Sequence, residues 1–176
     1  MSILIRKMTP EDWPAVAKIY AEGIQTGQAT FQAEVPTWED WDRAHVTNCR
    51  LVALADTGEI MGWAALTPVS GRCVYAGVAE VSVYVGAAFR GQNLGSQLLS
   101  QLVAESEAEG FWTLQAGIFP ENVGSVRIHE KAGFRIVGYR ERIGQLAGVW
   151  RDTLFLERRS SRVGLPAEGS KIFSSN

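Results

Sequence analysis

The sequence predicts an α+β fold in a single domain, built on a mixed, mostly antiparallel sheet flanked by helices. Three observations carry that expectation. Short apolar runs of strand length are interspersed with capped helical segments. Two of those runs, "RLVALAD" and "IMGWAAL", are separated only by the turn "TGE" and read as a hairpin. The stretch "VYVGAAFRGQNLGSQLL" passes from a strand through a turn rich in Arg and Gly into a leucine-rich helix. With 176 residues, 46% hydrophobic and 20% charged, the chain can bury the core of one globular domain. Neither a repeat nor a linker divides it, so residues 1–158 are expected to form the domain and residues 159–176 a polar, peripheral tail.

Taken in order, "ILIRKM" is the first strand. "TPEDWPAVAKIYAEGI" follows as a helix, with Thr9 as N-cap, Pro10 at the first helical position and Asp12 near the capping-box place. Trp13, Val16, Ala17, Tyr20 and Ile24 share one face of it. A second helix, "TWEDWDRAHV", is capped by Thr37. After the hairpin and the loop "TPVSGR", the run "VAEVSVYV" is a longer strand. Leu94, Leu98, Leu99, Leu102 and Val103 mark the next helix. "WTLQAGIF" is a strand, "NVGSVRIHEKAG" a helix closed by Gly133, and "FRIVGYRERI" and "WRDTLFLERR" the last strands.

Composition narrows the function. A net charge of −2 gives no electrostatic footprint for nucleic acid. Cys49 and Cys73 lack metal-ligand spacing, and with only His45 and His129 beside them no metal site is expected. The N-terminal "MSILIRKMTPEDW" is no secretory signal, and no apolar run approaches the roughly 18 residues of a membrane span. The expectation is a cytoplasmic protein that handles small molecules, without nucleic-acid or membrane partners.

The Arg/Gly turn carries the most chemistry. Successive backbone N–H groups over residues 91–95 would converge at the start of the leucine-rich helix, where the helix dipole adds positive potential. That is a site for pyrophosphate. The spacing from Arg90 to Gly95 lacks the Lys-Ser/Thr of an ATP loop, and no Gly-x-Gly-x-x-Gly follows a first strand. Asn93 stands where a third glycine would complete a simple anion cradle. The position must allow a left-handed or bridging backbone, and asparagine is the ordinary residue that tolerates it best.

Arg90-Gly91-Gln92-Asn93-Leu94-Gly95 resembles the Arg/Gln-x-x-Gly-x-Gly/Ala signature of the GCN5-related N-acetyltransferases, with Asn93 as the departure. "AEVSVYV" before it and "ENVGSVRIHEKAGF" after it extend the resemblance. The second block keeps Asn122, Ser125, Lys131, Gly133 and Phe134, with His129 where the family usually has tyrosine. The resemblance runs from the first strand to about Glu157. Within the family, "IYAEGIQTGQATFQAE", "SVRIHEKAGF" and "GVWRDTLFL" look most like the phosphinothricin and methionine sulfoximine acetyltransferase branch.

The resemblance implies a splayed strand pair that holds acetyl-CoA. The pantetheine would run along the backbone of Val83, Tyr84 and Val85, the last with an N–H for the developing oxyanion. The pyrophosphate would rest on Arg90, Gly91, Gln92, Asn93, Leu94, Gly95 and Ser96, and Asn122, Ser125 and Lys131 would complete the cofactor side. Glu80, Ser82 and Tyr84 alternate onto one strand face, which makes Glu80 the candidate base, its basicity raised by partial burial. His129 could protonate the leaving thiolate or merely pack beside the cofactor. Phe31, Arg72, Tyr75, Val83, Trp150 and Asp152 are the candidates for the substrate end. On the residues alone Glu80 reads first as an exposed strand glutamate, an order the resemblance reverses, and a lone arginine such as Arg72 is usually a solvated charge. The expected reaction is direct acetyl transfer in a ternary complex to the amine of a small amino acid or analogue, by a homodimer. Other amines (a polyamine, an aminoglycoside, a protein N-terminus) and a non-catalytic acyl-CoA-binding module stay open.

Overall fold

A computed structural model describes residues 3–166; residues 167–176 of the expected tail lie outside the described residues. The first half of the chain forms β1 (Leu4–Lys7), α1 (Trp13–Gln25), α2 (Trp38–Ala44), β2 (Leu51–Leu54), β3 (Ile60–Pro68) and β4 (Val78–Val85). The second half forms α3 (Leu94–Ala108), β5 (Thr113–Ile118), α4 (Val123–Lys131), β6 (Arg135–Leu146) and β7 (Val149–Arg159). The strands make one seven-stranded sheet in the order β1-β2-β3-β4-β5-β7-β6. Only β4 and β5 run parallel; the other neighbours are antiparallel.

Local signals account for the helix starts. Thr9 and Asp12 form the capping box, and Pro10 opens a short 3-10 turn, Pro10–Asp12, that leads into α1. Arg6 reaches the Asp12 carboxylate at 2.7 Å and holds it below the usual carboxylate range. Thr37 caps α2 by accepting the Asp40 N–H. The buried stripe of α1 is rotated from the expected one: Val16, Ile19 and Gly23 are buried, while Trp13, Ala17, Tyr20 and Ile24 are half-buried. Gly23 is the reason. A Cβ there would stand 2.7 Å from the Tyr84 ring, so the helix lies against β4 at a residue that apolar periodicity does not count.

Two cores lie on opposite faces of the sheet. On one, Leu94, Leu98, Leu99 and Leu102 of α3 pack with Val81, Leu114 and Leu156. On the other, Val16, Ile19 and Trp41 pack against Val52, Trp63 and Ala65, with Tyr84 at the margin. Both final strands exceed their expected bounds, because a bulge between Arg140 and Gly144 lets β6 continue and Ala147 and Gly148 close the hairpin with positive φ values of 49° and 78°. β7 passes residue 158 to Arg159, and Ser160 is buried with its hydroxyl donated to Glu107 at 2.8 Å.

The feature that positions the site is the short union of β4 with β5. It comprises Val78↔Thr113, Ala79↔Leu114 and Glu80↔Gln115 and then stops. β4 continues beside β3 to Val85, and β5 beside β7 to Ile118, so the two strands part. Their closed end is fixed by Gly77, whose carbonyl accepts the N–H groups of Trp112 (2.9 Å) and Thr113 (3.1 Å). A Cβ at Gly77 would lie 2.1 Å from the Trp112 ring. Gly77→Ala is therefore expected to destabilise the fold by about 1–3 kcal/mol through overpacking. Urea unfolding measures it, and an unchanged midpoint would show that the ring yields freely.

Candidate active site in the gap between two strands

A cavity of about 430 Å³ occupies the gap. Beyond Glu80 no strand pairs with β4 on the β5 side, which leaves main-chain groups there to be satisfied by something other than the sheet. Strand alternation sorts the side chains. Val81, Val83 and Val85 turn to the α3 core, and Glu80, Ser82 and Tyr84 line the cavity with the backbone beside them. Burial pushes the Tyr84 phenol up, so it stays protonated among hydrogen bonds with Tyr20 and Thr30. Glu80 stands at the vertex and accepts a hydrogen bond from Gln115 Nε2 at 3.1 Å. It is exposed, contrary to the expected partial burial, because the gap opens directly above it.

The Arg/Gly turn adopts the backbone that an anion cradle requires. Gly91 has φ 79°, and Asn93, the residue before α3, is left-handed with φ 61° and ψ 13°. The Asn93 side chain makes no capping bond. The helix's own bonding begins with the Gln97 N–H on the Asn93 carbonyl at 3.2 Å. The amides of Leu94, Gly95 and Ser96 therefore have no acceptor within the helix, and the positive end of a 15-residue dipole lies behind them. Arg90 and Gln92 are exposed on the turn. Free amides at a left-handed turn, next to an unpaired strand edge, fit a ligand with a pyrophosphate and an amide-bearing arm.

On α4, Asn122 serves the protein itself. Its side chain accepts the Ser125 N–H at 3.2 Å and donates to the Gln28 carbonyl at 3.2 Å, while Asn122 and Ser125 both line the cavity. His129 also lines it and is buried, with Nδ1 2.7 Å from the Ser125 carbonyl oxygen. A carbonyl can only accept, so Nδ1 carries the proton. Burial lowers the His129 pKa, and with Nδ1 donating to the carbonyl the neutral ring has Nε2 as its acceptor. Lys131 is exposed at the end of α4 and does not line the cavity.

The substrate end differs from expectation in its charged members. Phe31 lines the cavity and packs edge-on against Phe119, with ring centroids 4.9 Å apart. Arg72 and Tyr75 lie outside it, on and beside an exposed 3-10 turn, where the guanidinium covers the tyrosine ring at 5.7 Å. Trp150 also lies outside, exposed at the tip of the β6–β7 hairpin. Arg72 and Tyr75 belong to the loop before β4 and Trp150 to the hairpin tip, and none of the three lines the gap. Asp152 instead holds the β6 bulge, accepting the Arg142 N–H at 2.6 Å and the Tyr139 hydroxyl. The bulge brings in Arg140, which with Thr153 of β7 lines the cavity. Neither was singled out from the sequence; Gly138 and Gly144 flanking the run were the available sign of a bulge.

Residues 13–134 match the acetyltransferase (GNAT) family. The chain belongs to that family and is an acetyl-CoA-dependent N-acetyltransferase. Within the family it resembles the phosphinothricin and methionine sulfoximine branch. It is 32% identical over 166 residues to the L-methionine sulfoximine/L-methionine sulfone acetyltransferase of Pseudomonas aeruginosa, covering 89% of this chain and 94% of that one. It is 29% identical over 163 residues to the phosphinothricin N-acetyltransferase of Streptomyces coelicolor, covering 89% and 95%. The crystal structure of a GNAT superfamily phosphinothricin acetyltransferase from Sinorhizobium meliloti, in complex with AcCoA, is similar with a TM-score of 0.84 at 28% identity, over 96% of this chain and 95% of that one. Among the described residues no helix is long and apolar enough to cross a membrane.

The left-handed Asn93 yields a test of the turn. Asn93→Gly is expected to bind acetyl-CoA as well as the wild type or slightly better. Asn93→Val, β-branched and intolerant of positive φ, is expected to lose about 1–3 kcal/mol. Calorimetric titration measures both. Equal losses in the two variants would show that the asparagine side chain, and not the backbone, grips the ligand.

Proposed function

We propose that this chain transfers the acetyl group of acetyl-CoA to the primary amine of a small amino acid or analogue, of the phosphinothricin and methionine sulfoximine type, within a ternary complex. The observation that carries this reading is the position of Glu80. Its carboxylate stands at the vertex of the gap, facing the same cavity as the unpaired edge of β4.

The residues that would hold acetyl-CoA are the backbone of Val83, Tyr84 and Val85, the amides of residues 91–96, and Asn122 and Ser125. The bound cosubstrate would supply a thioester carbon open to attack by nitrogen, its C–S bond breaking as the C–N bond forms and CoA leaving as the thiol with a proton given up by the nitrogen. An ammonium group has no lone pair, so Glu80 takes its proton, directly or through one water. An N–H of β4 near Val85 donates to the oxygen that gains charge. His129 lines the cavity from α4, its ring fixed by the Nδ1 contact with the Ser125 carbonyl. Phe31 covers the amine and excludes water. Holding the partners side by side in the gap provides the remaining advantage.

We also propose a homodimer. Ile136, Val137, Tyr139, Val149 and Trp150 are exposed on the β6–β7 hairpin, and β6 is an open sheet edge. Light scattering is expected to give twice the 19.3 kDa mass of one chain; that mass alone at micromolar concentration would contradict it.

Release of free thiol with a panel of amines separates the readings. Amino-acid analogues are expected to be the best acceptors, ahead of polyamines, aminoglycosides and N-terminal peptides. An acyl-CoA-binding module would release no thiol with any of them. Glu80→Gln is expected to lower kcat by roughly tenfold to a thousandfold with acetyl-CoA binding nearly unchanged. An unaltered kcat across pH would remove Glu80 from the mechanism.

A further inference from the structure

The charges in the cavity are few and set apart. Among the described residues that line it, Glu80 is the one acidic side chain and Arg140 the one Arg or Lys. Arg140 leaves β6 at the start of the bulge, opposite Thr153 of β7. The bulge is not free to relax. Asp152 fastens it from the facing strand through the Arg142 N–H at 2.6 Å, and Arg142 itself takes φ 45°.

So placed, the Arg140 guanidinium lies over the Phe155 ring, 4.2 Å from its centroid. No carboxylate of the described residues pairs with it, whereas neighbouring arginines on the same hairpin are paired, Arg135 with Glu157 and Arg142 with Glu141. An aromatic ring under one face and a free N–H edge prepare a guanidinium for planar, bidentate contact with an anion.

Strand register gives the spacing. Phe155 pairs with Gly117 on β5, and Glu80 pairs with Gln115, two residues earlier on the same strand. The ring beneath the cation and the carboxylate are thus two strands apart on one sheet face, roughly 10 Å across and 7 Å along at backbone level. Both side chains are long and face the same cavity. Between them Gly117 is exposed, and nothing lies within 4 Å of where its Cβ would stand, so the floor is open.

We infer that Arg140 binds the α-carboxylate of the acceptor while Glu80 faces its ammonium, which makes the cavity a receptor for a zwitterionic amino acid. This rests on the proposed acetyl transfer. It gives the charged contact at the substrate end to Arg140 of β6, in place of the candidates Arg72 and Tyr75 on the loop before β4. A simple amine lacks the group that Arg140 binds, and a polyamine brings a second cation towards it.

The test separates binding from turnover. L-methionine sulfoximine and the amine made by removing its carboxyl group are each titrated calorimetrically into the full chain in the presence of CoA, which carries no acetyl group. The wild type is expected to bind the amino acid roughly ten- to a hundredfold more tightly than the amine. Arg140→Leu is expected to bring the amino acid down to the amine's affinity and leave the amine where it was, and Arg140→Lys to recover part of the difference. Arg140 is exposed, so the leucine variant is expected to melt as the wild type does. No preference in the wild type, a preference that survives Arg140→Leu, or equal losses for both ligands would overturn the inference. Thiol release is then measured with acetyl-CoA. Acetylation of both compounds without an Arg140-dependent preference overturns the inference and keeps the proposed reaction. An Arg140-dependent preference without thiol release keeps the inference and overturns the reaction.

Discussion

The functional part of this molecule depends on two adjacent parallel strands that pair for three residues and then separate. β5 remains committed to β7 over its whole length, and β4 to β3. Beyond Glu80 each keeps the antiparallel ladder on its far edge, and the ladder they share ends. Main-chain groups beyond Glu80 are left without a strand partner, facing the cavity between the two strands. Unpaired backbone in such a place asks for a ligand with alternating donors and acceptors.

The remainder of the fold keeps that gap from collapsing. On one face, Tyr84 stacks on Trp63 with centroids 4.8 Å apart and meets Tyr20 at 4.9 Å, which ties β4 to β3 and α1. On the other, the buried leucines of α3 sit beneath β4, so the amides at the helix start are held at the end of the same strand. Arg151 braces the Phe31 side of the cavity. It donates to the Gly27 carbonyl and to Gln28 Oε1, both at 2.9 Å, and lies over Phe119, and with Asn122 it fastens the loop that carries Phe31.

The turn before α3 and the cavity present two different kinds of polar group. The turn from Gly91 to the start of α3 offers backbone dipoles, which suit a phosphate whose charge is spread over several oxygens. On the β5–β7–β6 side the charged group facing the cavity is a side chain, the Arg140 guanidinium of β6. Glu80 lies where the two meet, because it is the last residue of β4 to have a partner on β5.

The sequence by itself determined what is local. Caps at Thr9, Thr37 and Asn122 place their helices, alternation in "VAEVSVYV" puts Glu80 on the same face as Tyr84, and the left-handed backbone at Asn93 follows from what a turn before a helix requires of its residues. Each depends on neighbours a few positions away. The tertiary structure decided what depends on distant partners. Gly23 is buried only because Tyr84 lies on it, which rotated the core face of α1. Arg140 and Arg72 look alike along the chain. One is delivered to the cavity by a bulge that Asp152 fastens from the facing strand, while the other is left on an exposed turn. Strand order and bulge geometry are set by which ladders compete successfully for each strand. That competition is among segments far apart in the chain, so no local window of residues contains it.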